Sequence, residues 1–224
     1  MKIAVIHGQQ HKGSTYHITQ MLLDNLNYTK EDLAEFYVNN ISHCIGCFQC
    51  FMKGENSCPH RSQIEDVINA MEEADLIVID SPTYVFSVSG QLKTFFDHMG
   101  YRWISHRPHP SMKHKIGVAI STTAGTGAKK TTKMIASQMF WWSMGRTYQL
   151  PVTVAAMSWD QMSTAKKEKA GKKALQIAKS IHRNLGHVKP GFKSRFMFFI
   201  MRQMHKGMDY NPLEVSYWKE QGWI

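Results

Sequence analysis

Apolar residues in this chain fall into short unbroken runs, separated by longer stretches with helical spacing. The first run, IAVI at residues 3–6, is β-branched at three of its four positions. A strand covered on both faces within a parallel sheet reads this way. A loop bounded by Gly8 and Gly13 follows, and Ile18, Met21, Leu22 and Leu26 then share one helical face. The alternation recurs: strands are predicted over 33–38, 76–79, 115–121 and 150–157, and helices over about 62–73, 90–99, 128–144 and 163–185. Five strands alternating with helices predict an α/β fold, a doubly wound parallel sheet with helices on both faces. Residues 103–110, rich in His, Arg and Pro, read as an excursion from that repeat. The repeat closes near residue 186, so 1–186 is predicted to be one domain. Residues 187–224 are predicted to be an arm packed on it or on a partner subunit, in preference to a helix lying on a membrane surface.

Length and composition narrow the class. A chain of 224 residues, 43% hydrophobic and 20% charged, suits one large globular domain. No apolar run has a signal peptide's core or the length of a membrane span, so the reading is cytoplasmic and membrane contact is not expected. The formal charge of +10 suits polyanions or phosphorylated small molecules. The cations cluster only at 166–173 and 189–206, and no nucleic-acid motif accompanies them, so nucleic acid is not expected as a partner.

Chemistry concentrates in the loops. In an open parallel sheet, ligands bind beyond the carboxyl ends of the strands. Residues 8–15, 81–90 and 121–127 all follow buried-type strands and are rich in Gly, Ser and Thr. The first opens a helix, whose unpaired N–H groups and partial positive charge make an anion site. It departs from a triphosphate loop, because Ser14 stands where the lysine belongs, and from the dinucleotide pattern, because position 10 is not glycine. A single terminal phosphate suits it better.

The chain resembles the flavodoxin-like NAD(P)H-dependent FMN reductases, including the iron–sulfur flavoproteins and quinone-reductase relatives. The resemblance rests on GQQHKGST after the first strand, CIGCFQC with Cys58, ADLIVIDSPTYVFSVSGQLKTFFD, and STTAGTG after the fourth strand, and covers roughly residues 1–160. It implies a five-stranded sheet of order 2-1-3-4-5 with a C-terminal extension. It also implies an FMN site. Gln9, His11, Gly13, Ser14 and Thr15 would meet the phosphate. Pro82, Thr83, Tyr84, Val85 and Phe86 would run along the isoalloxazine, and Thr122, Thr123 and Gly125 would close its other side. The family's Ser-Pro-Arg in the first loop is Gln9-Gln10-His11 here. The resemblance further implies NAD(P)H as co-substrate, and a quinone, nitro or azo compound or free flavin as acceptor. It implies a homodimer or higher homo-oligomer, with Trp103, Trp141, Trp142 and the arm as interface candidates. The chemistry belongs to the cofactor, so no residue is named as catalytic acid or base. Lys93 and Asp97 read as structural, a salt-linked helix face or contacts at a subunit interface.

The four cysteines, Cys44, Cys47, Cys50 and Cys58, lie within fifteen residues as C-x2-C-x2-C-x7-C. In a reducing compartment that spacing points to metal or redox chemistry, not a disulfide framework. A [4Fe–4S] cluster, zinc, and free or oxidised thiols all remain open, with the resemblance to iron–sulfur flavoproteins supporting the first. Two functions follow: an FMN-dependent NAD(P)H oxidoreductase, or a flavin carrier, with or without a cluster, between protein partners.

Overall fold

The computed structural model describes all 224 residues. Five strands form one sheet: β1 (Ile3–His7), β2 (Leu33–Tyr37), β3 (Leu76–Pro82), β4 (Ile116–Thr123) and β5 (Arg146–Thr153). All pairings are parallel and the order is β2-β1-β3-β4-β5, the flavodoxin-like arrangement. The helices are α1 (Ser14–Leu23), α2 (Gln49–Met52), α3 (Glu65–Glu73), α4 (Gly90–His98), α5 (Ala128–Trp141), α6 (Thr164–Asn184), α7 (Phe192–Lys206) and α8 (Pro212–Glu220).

Strand pleating divides the core in two. Ile3 and Val5 of β1 face a layer built from α1 and α6, with Ile18, Leu22, Ala170, Ala174 and Ala178 buried in it. Ala4 and Ile6 face the other layer, from α3, α4 and α5, with Ile68, Phe95 and Ile135. On α6 the alanines recur every four residues, which keeps one thin stripe of the helix against the sheet. Trp142 is fully buried, edge-on to the rings of Phe95 and Phe96, and so is not an interface residue. Trp103 and Trp141 stack on each other at 5.3 Å. Lys93 and Asp97 pair along α4.

Three boundaries differ from the sequence reading. A 3-10 turn at Arg61–Gln63 precedes α3, which starts at Glu65. Strand β5 begins at Arg146 and ends at Thr153, about four residues earlier than predicted. It is an edge strand with a half-exposed, polar start at Arg146, Thr147, Tyr148 and Gln149, so no apolar run announces it. Helix α5 stops at Trp141, three residues short of the predicted end, and the left-handed residue beyond it is Ser143 (φ 69°). Gly145 serves a close approach: a Cβ there would lie 2.2 Å from the Lys113 carbonyl oxygen.

The arm packs on its own chain. Trp218 Nε1–H donates to the His106 carbonyl at 2.5 Å, and Tyr217 O–H to that of Pro108 at 2.7 Å. Phe198 and His205 stack on Trp218. Glu214 is buried between His106 (2.8 Å) and His205 (3.6 Å). Burial would raise its pKa, but the two histidines outweigh that and hold it down at about 2. No helix of the chain is long and apolar enough to cross a membrane.

Gly145→Ala is expected to destabilise the fold by about 2–3 kcal/mol, because the methyl meets backbone that cannot rotate away. A urea midpoint shift at constant slope measures it. An unmoved midpoint would contradict the packing described for the turn into β5.

Candidate functional site

The carboxyl ends of the strands are polar, and that end of the sheet holds a cleft of about 460 Å³. Its size is in the range of small-molecule sites. Gln9, His11, Gly13, Ser14 and Thr15 line it from the first loop, Pro82, Thr83 and Tyr84 from the second, and Thr122 and Thr123 from the third. Hydrogen bonds tie the three loops together. Gln9 Nε2–H donates to the Tyr84 hydroxyl at 2.6 Å, Thr15 and Thr122 share a hydroxyl bond of 2.6 Å, and Thr83 N–H donates to the Thr122 carbonyl at 2.8 Å.

Helix α1 starts at Ser14 with Gly13 in the cap position, and no side chain caps it. Its first turn carries no acidic residue. The first N–H groups of the helix therefore face the cleft without a protein acceptor from a cap, beside the hydroxyls of Ser14 and Thr15 and near Lys12. That is an anion site in form.

The second loop is under strain. Tyr84 and Ser87 exchange backbone bonds at 3.0 and 2.9 Å around a tight turn. Its two central residues, Val85 (φ 49°) and Phe86 (φ 59°), both sit in left-handed backbone without being glycine. A β-branched residue there is an outlier, and such strain persists only when the surroundings enforce it. Phe86 packs against Gly127, and Val85 projects into solvent, 95% exposed. Val85, Phe86 and Gly125 do not line the cleft.

A fourth wall was not read from the sequence. Residues 154–160, after β5, bring Val154, Ala156, Met157, Ser158, Trp159 and Asp160 to the cleft. Trp159 stacks on His17 at 4.8 Å, and Lys167 Nζ lies over the Trp159 ring at 4.7 Å. The same strand-end rule that located the other loops points here, but the late placement of β5 concealed it.

Under the first loop lies a buried ion network. His7, 1% exposed, donates through Nδ1 to Asp80 at 2.7 Å, and its Nε2 lies 3.3 Å from Glu35. Asp80 also accepts from the Thr19 hydroxyl at 2.7 Å. Burial alone would lower the His7 pKa, but the two carboxylates outweigh it and the net shift is upward. Two carboxylates facing the two ring nitrogens favour the protonated form of His7 and offset its charge within the network.

The cysteines lie elsewhere, beside α4. Cys44 is exposed, Cys47, Cys50 and Cys58 are half-buried, and all four are free thiols. Left-handed backbone at Gly46, Phe48 and Gly54 turns the segment repeatedly. Cys58 Sγ is 3.8 Å from His98 Nδ1, while His98 Nε2–H donates to the Ser42 carbonyl at 2.8 Å. No three His, Cys, Asp or Glu side chains converge as a metal-binding group. The four sulfurs are neighbours yet do not enclose an ion, so the arrangement as it stands does not fit a cluster. Burial first, then the neighbouring thiolates, push the Cys50 thiol up to about 11.

Fold and cleft together define a flavodoxin-like α/β protein with a small-molecule-sized cleft at the carboxyl edge of its sheet. The chain belongs to the NADPH-dependent FMN reductase family, whose sequence profile matches residues 1–161. An iron–sulfur flavoprotein of Archaeoglobus fulgidus is 30% identical over 130 residues, 57% of this chain and 56% of the relative. An FMN-dependent NADH:quinone oxidoreductase of Burkholderia pseudomallei is 33% identical over 66 residues, 27% of this chain and 33% of that one. The chain thus spans about half, or less, of the length of these curated relatives. Among solved structures, an FMN-dependent NADH-azoreductase of Bacillus anthracis in complex with FMN superposes with a TM-score of 0.62 at 12% identity. That likeness covers 81% of this chain and 99% of the other, and speaks to the fold alone.

Two outcomes are expected. A raised His7 pKa contributes stability that is complete below its unfolded value, about 6.5, and is lost as pH rises through the higher folded value. The Tm of the wild type should fall over that interval, and His7→Gln should flatten the fall. Parallel pH profiles would exclude the imidazolium. Separately, at pH 8 iodoacetamide should modify Cys50 more slowly than exposed Cys44 by peptide mapping, because the thiolate is the nucleophile. Equal rates would contradict the burial of Cys50.

Proposed function

We propose that this chain is an FMN-dependent NAD(P)H oxidoreductase acting on a small-molecule acceptor of the quinone, nitro, azo or flavin class. The observation that carries the reading is the uncapped N-terminus of α1 opening into a cleft walled by strand-end loops. A flavin mononucleotide needs a dianion site at one end and an amphipathic slot at the other, and the residues present match both. The N–H groups of the first helical turn, with Ser14, Thr15 and Lys12, would hold the phosphate. His11 takes the place where the family carries arginine, and folds back over Gly13 within 2.6 Å of where a Cβ would stand. The backbone of residues 82–84 and the ring of Tyr84 would line one edge of the isoalloxazine, with Thr122 and Thr123 opposite. Trp159, Met157 and His17 would shield the ribityl end from water.

Bound FMN supplies hydride and electron transfer; the chain's part is to bind, orient and exclude water. The net charge of +10 favours the approach of a phosphorylated nicotinamide. A homodimer, the arrangement the resemblance implies, would complete the open side of the cleft.

The cysteine segment favours a second reading, a flavin carrier between protein partners. Ile45, Phe48 and Met52 are each more than 60% exposed around the cysteines, which suits a docking face. Anaerobic addition of NADPH or NADH to FMN-loaded protein separates the two. Bleaching of the flavin band within the mixing time supports the reductase, and an unchanged band supports the carrier.

Thr15→Val, which keeps shape and removes the hydroxyl, is expected to weaken FMN binding about 10-fold or more, the worth of one hydrogen bond to a charged group. Isothermal titration into flavin-stripped protein measures it. Affinity equal to that of the wild type would remove the first loop from the phosphate site.

A further inference from the structure

Helix α7 is used on one face only. Ser194, Phe198 and His205, spaced at one and two turns, turn inward onto Trp218, Trp223 and the 108–113 excursion. The opposite stripe carries Phe192, Phe196 and Phe199, which are 81%, 53% and 56% exposed. Phe192 and Phe196 stack on each other at 6.1 Å, and Phe199 follows on the same side of the helix, so the exposed rings form one aromatic stripe. Lys193, Arg195, Arg202 and Lys206 flank it, all exposed. Residues 169–208 contain ten Lys or Arg and no Asp or Glu.

We propose that this face docks on an anionic lipid surface. Exposed aromatics framed by cations on a helix lying flat against a folded body have the form of an interfacial anchor: the rings enter the headgroup–acyl boundary and the cations meet lipid phosphates. Charge selects this occupant over a second copy of the chain. A two-fold contact through α7 would set the same four cations against themselves, with no carboxylate on the helix to neutralise them. The contact is peripheral. The inner face of α7 stays packed on the protein, and the arm lies against residues 108–113 and Ser143, which precede β4 and β5. The cleft lies at the other end of those strands, so docking leaves it open to water. The proposal is independent of which reaction the cleft performs.

The test is co-sedimentation of the full-length protein with extruded vesicles of phosphatidylcholine alone and of phosphatidylcholine mixed with phosphatidylglycerol. Binding to the anionic vesicles should exceed that to neutral ones by about tenfold or more and weaken with salt. The triple variant Phe192→Ser, Phe196→Ser, Phe199→Ser should lose it with unchanged circular dichroism, as should Lys193→Glu with Arg202→Glu. Lys169→Glu with Lys173→Glu, the same charge change on α6, should keep most of it. Equal partition onto both vesicles overturns the proposal. So does equal loss in the α6 variant, which would mean diffuse charge adhesion. If the triple variant binds vesicles as the wild type does but changes from dimer to monomer by size exclusion, the face belongs to a second copy and the lipid assignment is wrong.

Discussion

Strands β1, β3 and β4 have water on neither face of the sheet, and this constraint sorts the rest of the chain. Ile3, Val5, Leu76, Val78, Ile116 and Val118 fill one layer; Ala4, Ile6, Ile77, Ile79 and Ala119 fill the other. Polar chemistry has no place along these strands and is driven to where they end. There the residues change abruptly to His7, Asp80, Ser81, Ser121 and Thr122. A site at this edge is the consequence of a sheet with no free face, and the parallel topology brings every such end to one side.

Polar groups so close to a dry core must be satisfied, and they are satisfied by one another. Asp80 accepts from His7 and Thr19, and its carbonyl receives the Gly8 N–H at 2.8 Å. The Ser89 hydroxyl donates to the Gly8 carbonyl and the Ser89 N–H donates to the Ser81 hydroxyl oxygen, which links the second loop to the first. Gly8 is needed here, since a Cβ would stand 2.8 Å from the Asp80 carbonyl oxygen. The loops are thereby held rigid before any ligand arrives, which lowers the ordering cost of binding. Strain at Val85 and Phe86 is tolerated because that frame holds both ends of the turn.

The arm follows a different logic. Its inner face solves a burial problem: Trp218, Glu214 and His205 close over the His106–Pro108 excursion, where Trp218 Nε1–H, Tyr217 O–H and His205 Nδ1 meet carbonyls and Glu214 pairs with His106. Its outer face solves none within this chain. The same helix thus combines residues fixed by packing with residues that packing does not explain, and the second set is mainly cationic and aromatic.

The central strands, three of the cleft's walls and the family were legible in the sequence, because buried parallel strands are continuous apolar runs and their loops are punctuated by Gly, Ser and Thr. Tertiary structure alone decided the remainder. Edge strand β5 carries Arg146, Tyr148 and Gln149 on a half-wetted surface, so its start had no local signal, and its late placement hid the Trp159 wall beyond it. Trp142 is a core residue because Phe95 and Phe96, more than forty positions earlier, surround it. His7, one letter after an apolar run, gains its two carboxylate partners only when β2 and β3 bring Glu35 and Asp80 to its two nitrogens. Cysteine spacing proposed a metal cradle, but where four sulfurs point depends on the backbone turns at Gly46, Phe48 and Gly54, which spacing does not encode. Periodicity is a property of neighbours along the chain; charge, burial and coordination are properties of neighbours in space.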